Sequence, residues 1–299
     1  MDIKERLRGM KRDMKFFFDW KRRKKTLLPV EYMFDRVNRK TGIFSDLIIY
    51  LGAGSFAAQS EGGRLTVRDR DFLRFFVPKA PLVTVVKPQV SERGKEVVQL
   101  QEKDICLRPD DSIGFLYGRY QQRVWRQMLE KLFPPEPSLY EQIQAAKAAL
   151  FTKEDRVLGV LCRGTDYRAK RPKGHPVQPE LSDVIQKAET VMKKRHCTKI
   201  FLATEDQQIA DRMRKHFGEE RVRMYQKSLF TDTKEQYLAE ICPREEKQQI
   251  DREYVISMGI LARCDCLIAG RTSGLVGVML LAGKPFEYTY FWDLGVYGE

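Results

Sequence analysis

From about residue 155 onward, apolar runs of strand length alternate with amphipathic helical segments, and this alternation restricts the fold more than any other feature of the chain. Val157-Leu158-Gly159-Val160-Leu161-Cys162, Lys199–Thr204, Arg221–Tyr225 and Cys266–Ala269 read as strands. The helical segments are 181–194, 207–217 (Ile209 and Met213 at spacing four), 246–263 and 273–282. The strands are near-continuously apolar, which is the pattern of strands buried on both faces. Strand-helix alternation of this kind predicts an α/β fold with a parallel sheet covered by helices on both sides. In such folds ligands bind outside the carboxyl ends of the strands.

The residues that follow each strand are therefore the candidate site. Arg163-Gly164-Thr165-Asp166 follows the first strand. Thr204 closes the second, and Glu205-Asp206 follows it. Gly270-Arg271-Thr272-Ser273-Gly274 follows the last. Arginine suits phosphate because its planar fork donates two hydrogen bonds at once. Thr272 and Ser273 open a helix, whose free amides favour an anion. A carboxylate such as Asp206 can accept both Watson–Crick-edge N–H groups of guanine. Together the clusters read as a nucleoside diphosphate site. Each piece also has a plain structural alternative. Arg163 and Asp166 can pair with each other, Glu205-Asp206 can serve the first turn of a helix, and Thr272 can be an ordinary N-cap.

The first half is harder to read. Leu47-Ile48-Ile49-Tyr50-Leu51 has strand length and ends in Gly52-Ala53-Gly54-Ser55-Phe56-Ala57, a G-x-G-x-x-A pattern. That predicts a strand followed by a glycine-rich loop at Gly52, Gly54 and Ser55. Leu82–Val86 is a second strand, rich in β-branched residues. Tyr120, Val124, Met128 and Leu132 place a helix over 117–133. Pro134-Pro135-Glu136-Pro137 stops it, and Ser138-Leu139-Tyr140-Glu141 reads as the capping box of the next helix. The expected division is a basic N-terminal helix over 1–28, an α/β domain over 29–135, and a nucleotide-binding domain over 136–299.

Residues 1–25 carry Ile3, Leu7, Met10, Met14 and Phe17 on one helical face, with lysines and arginines on the others. Two readings stand side by side: a helix on an anionic membrane, or one packed on the body with a solvated basic face. The formal net charge of +13 fits an anionic partner of either kind, membrane or phosphorylated ligand. No nucleic-acid-binding fold accompanies that charge, so nucleic acid is not expected. Neither a membrane-spanning run nor a secretory signal is evident, which predicts a cytoplasmic protein, peripheral at the inner face of a membrane. The six cysteines show no paired metal-ligand spacing, and Cys266 reads as a small buried residue.

Over roughly residues 155–285 the chain resembles the group of α1,6-fucosyltransferases, nodulation fucosyltransferases and protein O-fucosyltransferases. Leu161-Cys162-Arg163-Gly164-Thr165-Asp166 is similar to that family's H-V-R-R-T-D, and Gly174-His175-Pro176 to the H-P beyond it. Phe201-Leu202-Ala203-Thr204-Glu205-Asp206 is similar to Y-L-A-T-D-D. The segment 261–268 with Arg271-Thr272-Ser273 is similar to S-Q-A-D-F-L-V and F-S-S. Gly164 stands where the family has a second arginine, and Leu161 where it has a histidine.

The resemblance implies a GT-B-like fold, with two Rossmann-like domains facing across a cleft. It also implies an inverting glycosyltransferase that uses a GDP-sugar, with fucose as the sugar, and no metal or cofactor beyond that donor. In that reading Arg163 binds the β-phosphate and stabilises the leaving GDP, Asp206 recognises guanine, and Thr272 and Ser273 hold phosphate. Gly164, Thr204, Glu205 and Arg271 complete the donor site; the 29–135 domain, with a loop at Gly52, Gly54 and Ser55, is the acceptor side, and the acceptor is a glycan or lipid-linked glycan. For the general base the candidates are Asp166, His175, Glu287 and Asp293. Two other readings remain at this point: an NAD(P)-dependent oxidoreductase built on the Gly52–Ala57 loop, and a non-catalytic nucleotide- or membrane-binding protein.

Overall fold

The computed structural model describes residues 3–25, 27, 30–34, 42–68, 71–86, 97–105, 107–109, 113–164, 171–225 and 246–298. The chain divides into two compact units, Asp2–Pro137 and Ser138–Glu299.

The first unit opens with helix α1 (Ile3–Lys24). Strands β1 (Glu31–Phe34), β2 (Arg64–Arg68), β3 (Val83–Val86) and β4 (Val97–Leu100) form an all-parallel sheet in the order β3-β2-β1-β4. Helix α2 (Ile43–Gln59) is the crossover from β1 to β2. Helices α3 (Ile113–Tyr117) and α4 (Arg119–Leu132) close the unit.

Here the structure corrects the sequence. Leu47–Leu51 is not a strand, and Gly52, Gly54 and Ser55 do not form a loop. All lie inside α2, which is buried on nearly every side. A helix that is apolar all round shows no 3.6-residue period, so its apolar stretch imitates a buried strand. The glycines serve close packing instead. A Cβ on Gly54 would stand 2.7 Å from Leu132 Cδ1 of α4, and one on Gly52 would overlap Ile105. Ser55 Oγ donates to the Gly52 carbonyl at 2.5 Å, as a helical serine does. The dinucleotide fingerprint thereby loses the strand-turn-helix geometry it requires. The capping box also shifts: α5 (Pro137–Leu150) begins at its proline, which suits the first helical position, so Ser138 lies within the helix.

The second unit carries β5 (Val157–Leu161), α6 (Leu181–Arg195), β6 (Lys199–Ala203), α7 (Gln207–Phe217), β7 (Val222–Arg223), α8 (Lys247–Leu261), β8 (Cys266–Gly270), α9 (Ser273–Leu281) and β9 (Tyr288–Trp292). Its sheet is all parallel, in the order β7-β6-β5-β8-β9. Leu158, Val160, Ile200, Leu202, Cys266 and Ile268 point to one face, where α6 and α7 supply Val184, Ala188, Val191, Ile209 and Met213. On the other face α8 comes so close that a Cβ on Gly159 would touch Leu261 at 3.0 Å. The central strands β5, β6 and β8 are buried along nearly their whole length, the reason their apolar runs are unbroken. The strand order reverses between β5 and β8, the position at which doubly wound sheets open a crevice.

Candidate functional site

Backbone register places the candidate residues. Leu161 pairs with Ala203 on one side and Ala269 on the other, and Ala269 pairs with Phe291. Two residues past that row the four strands carry Glu205, Arg163, Arg271 and Asp293, in that spatial order. The two arginines thus occupy the central, adjacent positions, flanked by one carboxylate on each side.

Each carboxylate faces the arginine beside it, Asp293 through a hydrogen bond and Glu205 at ion-pair distance. Arg163 Nε lies 3.9 Å from Glu205 Oε1, which also accepts from the Gly164 N–H at 2.9 Å. Arg271 Nη1 donates to Asp293 Oδ1 at 2.7 Å. The arginine side chains are only 25% and 23% exposed. A guanidinium held as Arg271 is held loses little side-chain entropy when an anion arrives.

Asp206 and Thr272 cap helices. Asp206 Oδ1 accepts from the Ile209 N–H at 3.2 Å at the start of α7, and the Asp206 N–H donates to Thr204 Oγ1 at 3.2 Å. Thr272 Oγ1 accepts from the Leu275 N–H at 3.1 Å at the start of α9. Ser273 is the first residue of α9. Gly164 is pressed against Asp206: a Cβ there would stand 2.6 Å from Asp206 Cβ and 2.7 Å from its Cγ.

His175 sits in an exposed turn that the C-terminal segment pins in place. Its carbonyl accepts from the Tyr297 N–H at 2.9 Å, and Pro176 bridges Val296. Gln178, which sequence reasoning missed, ties this turn to the β8 end. Its Nε2 donates to the Pro176 and Arg271 carbonyls at 3.1 and 2.9 Å. Glu287 precedes β9 and pairs with Arg156 at the opposite, amino-terminal edge of the sheet, away from the arginine row. Asp293 is at the carboxyl edge but engaged with Arg271. Thr165 and Asp166 lie outside the described residues.

The four described cysteines, Cys162, Cys197, Cys264 and Cys266, are free and buried. Cys197 hydrogen-bonds Cys266, which pushes the Cys197 thiol up and the Cys266 thiol down, and burial pushes Cys264 up. No group of three or more His, Cys, Asp or Glu that would hold a metal occurs among the described residues. No described helix is long and apolar enough to cross a membrane.

No protein-family model matches the chain, and no curated protein does. Solved structures do match. A NodZ α1,6-fucosyltransferase soaked with GDP-fucose aligns with a TM-score of 0.53 at 15% identity, over 90% of this chain and 97% of that one. NodZ from Bradyrhizobium aligns at 0.51 and 14%, over 84% and 92%. POFUT1 in its apo form aligns at 0.50 and 8%, over 89% and 99%. At these identities the likeness is one of fold: the chain has the GT-B fold of the fucosyltransferases.

Proposed function

We propose that the chain is an inverting glycosyltransferase that moves a sugar, fucose in the first instance, from a GDP-sugar to a glycan or lipid-linked glycan at the cytoplasmic face of a membrane. The observation that carries this reading is the pair Arg163 and Arg271, side by side where the strand order reverses. A departing diphosphate gains negative charge as the sugar–oxygen bond breaks. Cationic donors already fixed at that point stabilise the transition state more than the ground state. In this reading the two guanidiniums supply the positive charge that a divalent cation supplies elsewhere. Ser273 and the first amides of α9 add donors to the same phosphates. Asp206 faces the base, and Thr204 and Glu205 hold the two loops in register. His175 is the candidate to take the proton from the acceptor hydroxyl.

Solved structures of the same fold hold GDP or were soaked with GDP-fucose, which supports GDP as the nucleotide to try first. The test is thermal unfolding of the purified chain with GDP, UDP or NAD, alongside Arg163→Ala. A ligand that binds only the folded state stabilises it by about 2.7 kcal/mol at a hundredfold excess over its Kd. A shift with GDP, lost in the variant, is expected. A shift with UDP alone would change the donor, and no shift with any nucleotide would overturn the reading.

A further inference from the structure

Helix α1 has two apolar faces. The inner one is locked onto the first unit. Phe16 packs at a tilt against Trp125 (ring centroids 6.0 Å apart) and Trp20 meets Trp125 edge-on at 5.6 Å. Asp13 accepts from the Tyr120 and Gln121 N–H groups at 3.1 and 3.0 Å. Arg23 Nη2 donates to Ser55 Oγ at 2.6 Å. The outer face carries Leu7, Met10, Met14 and Phe18, which are 54%, 62%, 60% and 62% exposed. Their spacing of three and four puts them in one stripe, on the side of the helix away from Phe16 and Trp20. The sequence pattern found most of this stripe. It took half-buried Phe17 where the structure presents Phe18.

Four large apolar side chains in one exposed stripe need an occupant. The inner contacts prevent the helix from rolling over to bury the stripe on its own body. The stripe is edged by exposed Lys11, Lys15, Lys21, Arg22 and Lys25. Two carboxylates are described on this helix: Asp13 is consumed inward, and Asp19 pairs with Arg22 at 3.4 Å. An apolar stripe between cations, with no free carboxylate among the described side chains, is complementary to an anionic bilayer surface. Acyl chains take the stripe and headgroup phosphates take the lysines. A second copy of the chain is a poor occupant, because two such faces would bring their lysines together.

We infer that α1 docks flat on an anionic lipid surface through Leu7, Met10, Met14 and Phe18, while its opposite face holds the body of the protein. This rests on the membrane location proposed above, and names the surface that provides it.

The test is flotation of the full chain with vesicles of phosphatidylcholine alone, or of phosphatidylcholine with phosphatidylglycerol. Flotation with the anionic vesicles only, weakening as salt rises, is expected. The double variant Met10→Glu/Phe18→Glu should bind at least about tenfold more weakly, and Lys11→Gln/Lys15→Gln should weaken binding less. The substituted positions are exposed, so the melting temperature should not move. The inference falls if the wild type does not float, or if the apolar double variant floats as well as the wild type. It also falls if the stripe instead drives a concentration-dependent dimer that the same variant abolishes. The GDP-induced thermal shift, measured on every variant, separates failure here from failure of the transferase reading.

Discussion

Arg163 and Arg271 leave neighbouring parallel strands at the same height, each two residues past the paired residues Leu161 and Ala269. Each is braced by a carboxylate from the next strand outward, Glu205 for Arg163 and Asp293 for Arg271. The two positions match across the β5–β8 boundary but the contacts differ: Arg271 Nη1 donates to Asp293 at 2.7 Å, while Arg163 Nε stands 3.9 Å from Glu205. If this row seats a diphosphate, as proposed, both arginines are placed to contact it. Arg271→Ala should weaken GDP binding about as much as Arg163→Ala, each by roughly 1.5–3 kcal/mol, the value of a hydrogen bond to a charged group. Lysine at either position should restore only part of the loss, since it keeps the charge and not the fork. Calorimetric titration with GDP reads all four variants. An Arg271→Ala protein that binds like the wild type would remove that residue from the site.

Gly164 and Asp206 form a second coupled pair. A Cβ at residue 164 would meet Asp206 Cβ at 2.6 Å, and Asp206 is not free to retreat while it caps α7. Gly164→Ala should therefore be destabilising, and should remain so beside Asp206→Ala, which keeps the Cβ it meets, whereas Asp206→Gly should relieve it. A double-mutant cycle of Gly164→Ala with Asp206→Gly in urea should return a coupling of about 0.5–3 kcal/mol. Asp206→Ala alone should cost about 1 kcal/mol for the lost cap. If the carboxylate also reads guanine, the same variant should lose its preference for GDP over UDP. Additive single effects would mean that the loops move apart without cost.

The second unit was legible because its strands are buried on both faces, so strand and helix differ in length and pattern. The exceptions have physical reasons. The aromatic strand β9 (Tyr288–Trp292) sits at the edge of the sheet with Tyr288, Thr289 and Tyr290 only half buried, so it lacks the unbroken apolar signature. In the first unit β1 has four residues and alternates with polar Glu31, too short for periodicity to register. Helix α2 failed for the opposite reason, being apolar on every face. Arg163, Glu205 and Arg271 were visible as strand-end residues. Their alignment into one row was not, because register is a property of pairing between strands. Asp293 was visible only as a spare carboxylate for the same reason, and Gln178 carries no pattern at all.

Acid should act at the turn before β5. Asp155 accepts from the Thr152 N–H at 2.9 Å, from Thr152 Oγ1 at 3.1 Å and from Thr198 Oγ1 at 3.1 Å. The Thr152 backbone donor is the main cause of a carboxyl held below the usual aspartate range, with the hydroxyls and Lys199 adding to it. A depressed folded-state pKa means that this group stabilises the fold above its unfolded pKa, near 4, and stops doing so as pH falls through the folded value. The group is almost fully solvated, so the effect is small. Asp155→Asn should flatten the acid limb of a stability-against-pH curve below about pH 4 and leave neutral stability nearly unchanged. A curve that keeps its slope would assign the acid sensitivity to other carboxylates.

Helix α4 begins after Gly118, which has no side chain to cap it. The missing acceptor arrives from more than a hundred positions earlier in sequence: Asp13 of α1 takes the N–H groups of Tyr120 and Gln121. Its negative charge also complements the positive end of the α4 dipole. This one carboxylate therefore serves both helices, satisfying the start of α4 and fixing the rotation of α1. Asp13→Ala should destabilise the chain by about 0.5–2 kcal/mol, the range for losing a cap. Asp13→Asn should retain only part of that, because its single amide oxygen can accept one of the two N–H groups while its NH2 faces the other. The two variants should also differ in hydrogen exchange, with α1 amides exchanging faster in Asp13→Ala than in Asp13→Asn. If alanine destabilises while α1 keeps its protection, Asp13 is a cap for α4 alone, and the aromatic contacts of Phe16 and Trp20 suffice to set the outward face of α1.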